Sequence, residues 1–65
     1  MSCEIKSTQR QSFGDTTVEL REYLYDDGRR IWHVTLMQRA ESIRLTTPDH
    51  GHALYTFDKW VSEYA

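Results

Sequence analysis

The sequence predicts an α+β fold in which a three-stranded antiparallel sheet packs against one C-terminal helix. Two alternating apolar and polar runs flank the turn sequence Asp26-Asp27-Gly28, which is typical of a β-hairpin. A third alternating run follows, and the C-terminal part of the chain repeats its apolar residues at helical spacing. We expect strands at about residues 16–25, 30–37 and 42–47, and the helix at about residues 48–64.

The apolar positions fix the register of the hairpin. A two-residue turn would slip the pairing by one residue and mix apolar with polar side chains on each face. A three-residue loop, Asp26 to Gly28, keeps the faces separate and puts Gly28 at the left-handed position that a type I turn with a bulge requires. The predicted pairs are Val18 with Leu36, Leu20 with Val34, and Glu22 with Trp32.

The third strand continues the same apolar face. Residues 42–46 alternate again, and pairing Leu36 with Ile43 and Val34 with Leu45 joins their apolar side chains to those of the hairpin. The three strands therefore bury one common face.

Thr47-Pro48-Asp49 predicts the start of the helix. A threonine hydroxyl can cap the helix, proline is tolerated at the first helical position, and an acid suits the positive end of the helix dipole. Gly51 weakens the first turn, so the start could shift to about residue 51. The predicted apolar face of the helix consists of Ala53, Leu54, Phe57, Trp60, Val61 and Tyr64.

The first twelve residues have no usable periodicity. Residues 2–12 are polar around Ile5, and they fit either a flexible arm or a weak edge strand. With 65 residues in all, the chain is expected to form a single domain over residues 1–65.

Size and composition narrow the class of protein. A hydrophobic content of 38% and a charged content of 28% fit a small soluble domain near the lower limit for folding alone. Since a monomer would be marginal, a homodimer through a strand edge or through the outer face of the sheet is an expectation. The single Cys3 allows no internal disulfide and points to a reducing compartment, so a cytoplasmic protein without membrane association is expected.

The amino-acid sequence shows no catalytic or metal-binding motif. There is no Gly-rich phosphate loop, no serine nucleophile elbow and no zinc-knuckle spacing, so we expect neither an enzyme nor a cofactor. His33, His50 and His52 do not share a face, which argues against a metal site. Cys3 is interpreted as an incidental terminal thiol because no base accompanies it.

Glu22 falls among apolar side chains, opposite Trp32. Near the end of a short sheet it could reach water or accept a hydrogen bond from the indole N–H. The alternative is a buried carboxylate with a shifted pKa.

The best functional candidate is the sheet face turned away from the helix, which we call the outer sheet face. Tyrosine, methionine and arginine, the residue types enriched at binding hot spots, alternate onto it. The alternative is a solvated face whose tyrosines pair across strands. The predicted partner-binding residues are Arg21, Tyr23, Tyr25, Arg29, His33, Thr35, Met37 and Arg44.

Two functions fit this face. A net charge of -2 gives no overall attraction to nucleic acid, which favours a non-enzymatic protein-binding module. Its most concrete form is an inhibitor or modulator of a larger host complex, such as a phage or other mobile-element accessory protein. The alternative is a nucleic-acid-binding domain with arginines on phosphates and tyrosines against bases.

A three-stranded antiparallel sheet backed by a C-terminal helix resembles the architecture of plant AP2-type and integrase arm-type DNA-binding domains. The resemblance is one of topology and assigns no role to any individual residue. It implies that the nucleic-acid alternative would use the outer sheet face, since those domains read the major groove with the sheet.

Overall fold

A computed structural model describes residues 2–64, which form one antiparallel sheet and one helix. The prediction of an α+β fold with a single C-terminal helix on a sheet is confirmed, but the sheet has four strands where three were expected. They follow one another in the order β1-β2-β3-β4. The elements are β1 Cys3–Phe13, β2 Thr16–Tyr25, β3 Arg30–Met37, β4 Ser42–Thr47 and α1 His50–Tyr64.

The added strand β1 lies at one edge of the sheet, antiparallel to β2. Of the two alternatives for the N-terminal residues, the structure has the edge strand. Gly14, at φ 60°, takes the left-handed conformation needed for the tight turn into β2. Backbone pairing explains the strand better than burial does, because ten of its residues are exposed and Phe13 alone is half-buried. A bulge at Lys6 interrupts the register between Ile5 and Ser7.

The predicted register of the central hairpin is confirmed. Gly28 has φ 88°, and its N–H donates to the carbonyl of Tyr25 at 3.0 Å. The Tyr25 N–H in turn donates to the Arg29 carbonyl at 2.9 Å, which closes the three-residue loop. The observed pairs are Val18 with Leu36, Leu20 with Val34, and Glu22 with Trp32. On the far side of β3, the predicted pairs of Leu36 with Ile43 and Val34 with Leu45 are also present.

The helix begins two residues later than predicted. Asp49 is the N-cap, because its Oδ1 accepts the His52 backbone N–H at 3.2 Å. Thr47, the predicted cap, instead accepts the Asp49 N–H on its own Oγ1 at 3.1 Å. Pro48 therefore lies in the turn before the helix, and α1 starts at His50.

The core lies between α1 and the three strands β2, β3 and β4. The predicted helix face contributes Ala53 and Phe57 as buried residues, with Leu54, Trp60 and Val61 packed beside them. Tyr64 was expected on this face but is 41% exposed. The buried apolar residues are Val18, Leu20, Trp32, Val34, Leu36, Ala53 and Phe57. Within residues 2–64 there is no helix with the length and apolar character that a bilayer crossing requires.

Candidate functional site

Within residues 2–64 no layer packs on the outer sheet face, since α1 packs against the buried apolar side of β2, β3 and β4. The register places the predicted residues in rows across this face. In one row Arg21 lies opposite His33, and His33 opposite Thr46. In the next row Thr35 lies between Glu19 and Arg44.

The centre of the face is an aromatic pair held by polar contacts. The rings of Tyr23 and His33 meet edge to face with centroids 4.9 Å apart. Nη1 of Arg21 donates to the Tyr23 hydroxyl oxygen at 3.4 Å, and Nδ1 of His33 lies 3.2 Å from Oγ1 of Thr46. These contacts restrain side chains that a partner would meet first, so less conformational freedom is lost on binding.

His33 is biased toward its neutral form. Partial burial, and second the positive charge of Arg44, hold the pKa of the imidazole below its ordinary value. At neutral pH the ring can therefore accept as well as donate a hydrogen bond.

Glu19 is the one buried charged side chain on this open face, at 8% relative exposure. Its Oε1 lies 2.7 Å from Nε of Arg21, and its Oε2 lies 3.6 Å from Nε of Arg10. Glu19 was not among the predicted site residues, since Arg10, one of its two arginine partners, lies on β1, which the sequence did not distinguish from a flexible arm. The Phe13-Gly14-Asp15 turn was the signal that could have revealed this second hairpin.

The remaining predicted residues lie away from this centre. Tyr25 is at the hairpin end of the face, with the Arg29 guanidinium 5.6 Å above its ring. Arg29 belongs to the loop before β3, and its Nε pairs with Oδ2 of Asp27 at 2.7 Å. Met37, paired with Thr17, lies at the opposite end. The structure therefore brings together Arg21, Tyr23, His33, Thr35 and Arg44, and it separates Tyr25, Arg29 and Met37 from them.

The outer sheet face is positive in a protein of net charge -2. Its strands carry Arg10, Arg21 and Arg44 against the single carboxylate of Glu19. Among residues 2–64 no carboxylate lies within 4.0 Å of Arg44, which leaves that guanidinium available to an incoming anion. Acids such as Asp58 and Glu63 belong to the helix side of the molecule.

Glu22 and Trp32 lie on the side of the sheet that faces the helix. The Glu22 carboxylate accepts from the Ser7 hydroxyl at 3.2 Å and pairs with Nη1 of Arg30 at 3.3 Å. The expected hydrogen bond from the Trp32 indole to Glu22 is not formed. Nε1 of Trp32 is buried without a partner among the residues described, and the indole stacks on His50 with centroids 4.9 Å apart.

The three histidines are dispersed, with His33 on the outer sheet face and His50 and His52 at the helix start. In the described part of the chain, no three His, Cys, Asp or Glu side chains gather in an arrangement suited to a metal ion. Cys3 is a free, exposed thiol beside an open cleft at the end of the central hairpin.

The comparisons with known proteins identify no relative of this chain. No family model, no curated protein and no solved structure matches the chain.

Proposed function

We propose that this protein is a non-enzymatic binding module whose outer sheet face docks on an acidic surface of a partner protein. An inhibitor or modulator of a larger complex is the form of this function that best suits so small a domain. The observation that carries the proposal is the uncovered sheet face, where three arginines surround the Tyr23 and His33 pair in an otherwise acidic chain.

The chemistry of this face fits protein recognition. A central tyrosine beside arginines is the composition of a binding hot spot, because each side chain offers a large contact area with a polar end. Arg21 is held by Glu19 and touches Tyr23, so it is partly ordered before a partner arrives. Complementary charge would also steer an acidic partner toward this side of the molecule.

Nucleic acid is the second candidate, favoured by the same arginines and by the half-buried aromatic pair on the same face. Two features weigh against it. Glu19 already engages Arg10 and Arg21, and the net charge of the chain opposes long-range attraction to phosphates.

The homodimer remains a prediction. The charges of the outer sheet face favour some arrangements of two subunits over others. Two outer sheet faces meeting each other would bring like charges together, which disfavours that arrangement. The free edge of β1 offers a different route through backbone pairing.

The proposal is tested by affinity capture from the native host with and without nuclease, followed by binding measurements on the purified captured protein. Tyr23→Ala is expected to weaken that binding by about 2 kcal/mol or more, as for a central aromatic anchor. The matched control is Tyr55→Ala on the helix, whose side chain is 66% exposed and which should leave binding unchanged.

Two results would contradict the proposal. One is loss of binding in Tyr55→Ala while Tyr23→Ala and Arg44→Ala bind normally, which would move the contact to the helix. The other is capture that nuclease abolishes. In that case the affinity should fall steeply as the salt concentration rises. Arg44→Ala should reduce the slope of log affinity against log salt concentration by about one unit.

A further inference from the structure

His33 occupies the middle of the outer sheet face, with charged and titratable neighbours on both adjoining strands. On β2 these are Arg21 directly opposite, Tyr23 in ring contact, and Glu19 one row away. On β4 it is Arg44, which lies opposite Thr35 in that same neighbouring row. The helix packs on the other side of the sheet, against the apolar core.

Because of these neighbours, protonation of His33 depends on the charge of a ligand bound to the outer sheet face. The negative charge of Glu19 is already engaged by Arg21 and Arg10. The positive charge of Arg44 has no carboxylate beside it within residues 2–64, so in the free protein it opposes a second cation on the ring. An anion placed against Arg44 would cancel this repulsion and would attract a proton to His33.

We propose that the outer sheet face binds a carboxylate of an acidic peptide segment between Arg21 and Arg44, above His33, and that His33 takes up a proton when this carboxylate binds. The inference rests on the proposed function and names its ligand chemistry. Affinity for an acidic partner then increases as the pH falls through the range in which His33 titrates.

A carboxylate suits this site better than a run of phosphates. Within residues 2–64, Arg10 and Arg21 share their charge with Glu19 while Arg44 has no carboxylate within 4.0 Å, so the face can neutralise a small number of negative charges. A nucleic-acid strand would also bring phosphates close to Glu19 and gain less from each further contact.

The probe for this inference is poly-L-aspartate, whose side chains stay ionised from pH 5.5 to 8 since their ordinary pKa is about 3.9. Titration calorimetry at several pH values, in two buffers of different ionisation enthalpy, measures both the affinity and the number of protons taken up. Affinity should rise about tenfold for each unit by which the peptide raises the His33 pKa. Proton NMR of the His33 ring in the unmodified protein, with and without poly-L-aspartate, follows that pKa directly.

Two histidine variants serve as a matched pair. His33→Gln is expected to abolish both the gain in affinity at low pH and the proton uptake. His52→Gln, changed on the opposite side of the sheet, should behave as the unmodified protein does. The NMR titration of the unmodified protein gives the answer even if His33→Gln fails to fold.

Two other kinds of result would contradict the inference, and they differ in whether the proposed function also fails. Binding of poly-L-aspartate that Arg44→Ala weakens, without proton uptake or any change in the His33 pKa, overturns this inference and leaves the proposed function standing. Failure of the unmodified protein to bind poly-L-aspartate at low salt, or preference for an oligothymidylate probe of equal charge, overturns both.

Discussion

Truncation of Phe57 to alanine is the most direct test of how the helix is held on the sheet. Phe57 is 5% exposed and packs in a core that has seven buried apolar residues within residues 2–64. Removing a buried phenylalanine side chain costs about 3–5 kcal/mol, because apolar contacts are lost and the cavity collapses only in part. At about 0.05–0.15 kcal/mol per residue, a chain of this size has about 3–10 kcal/mol of stability in total. Phe57→Ala is therefore expected to remove a third or more of the free energy of unfolding.

The measurement is urea denaturation followed by far-UV circular dichroism, with Phe57→Leu and Tyr55→Ala as companions. Phe57→Leu keeps most of the apolar volume and should fall between the alanine variant and the unmodified protein. Tyr55 lies on the exposed side of the same helix, so its truncation should change stability by no more than about 0.5 kcal/mol. Equal unfolding midpoints for Phe57→Ala and Tyr55→Ala would refute the packing of α1 described above.

Two further predictions concern single side chains. Burial, and second the charge of Arg44, lower the pKa of His33. The folded state therefore binds a proton at His33 less readily than the unfolded state does. The free energy of unfolding should decrease as the pH drops below about 6.5 toward the lower pKa of the folded state. Thermal melts from pH 8 to pH 5 should show this decline flattened in His33→Gln but kept in His52→Gln, and an unaltered decline in His33→Gln would contradict it. Trp32→Phe and Trp32→Leu both remove an indole N–H that is buried without a partner within residues 2–64, so both recover about 1–3 kcal/mol of the lost packing. Trp32→Phe should destabilise the protein less than Trp32→Leu because its aromatic ring keeps more of the packing, and the reverse order in the same melts would contradict this reasoning.

The parts of the fold that the sequence predicted are those where periodicity and turn chemistry agree. The alternation around Asp26 to Gly28 allowed only one register that keeps Leu20 and Val34 on the same face, and the structure has that register. The helical spacing of Phe57 likewise identified the side of α1 that is buried.

The features that the sequence did not predict have no distinguishing pattern in their own residues. β1 has no apolar face, so nothing in its own residues distinguishes a strand from an arm; it is a strand because Gly14 turns it back along β2. The helix start shifted because Thr47 and Asp49 are both good caps, and propensity alone did not rank them. Arg10, one of the two arginines paired with Glu19, belongs to β1, so this ion pair could not be predicted before that strand was known.

The position of β1 outside the core has a consequence for the history of this protein. Substitutions along residues 4–12 do not alter the packing between the helix and the sheet, since every one of these side chains is exposed. Thr8 and Arg10 nevertheless border the outer sheet face through their pairing with Arg21 and Glu19. Substitutions along this margin can therefore change the surface beside the outer sheet face while the apolar core between the helix and the sheet keeps its residues.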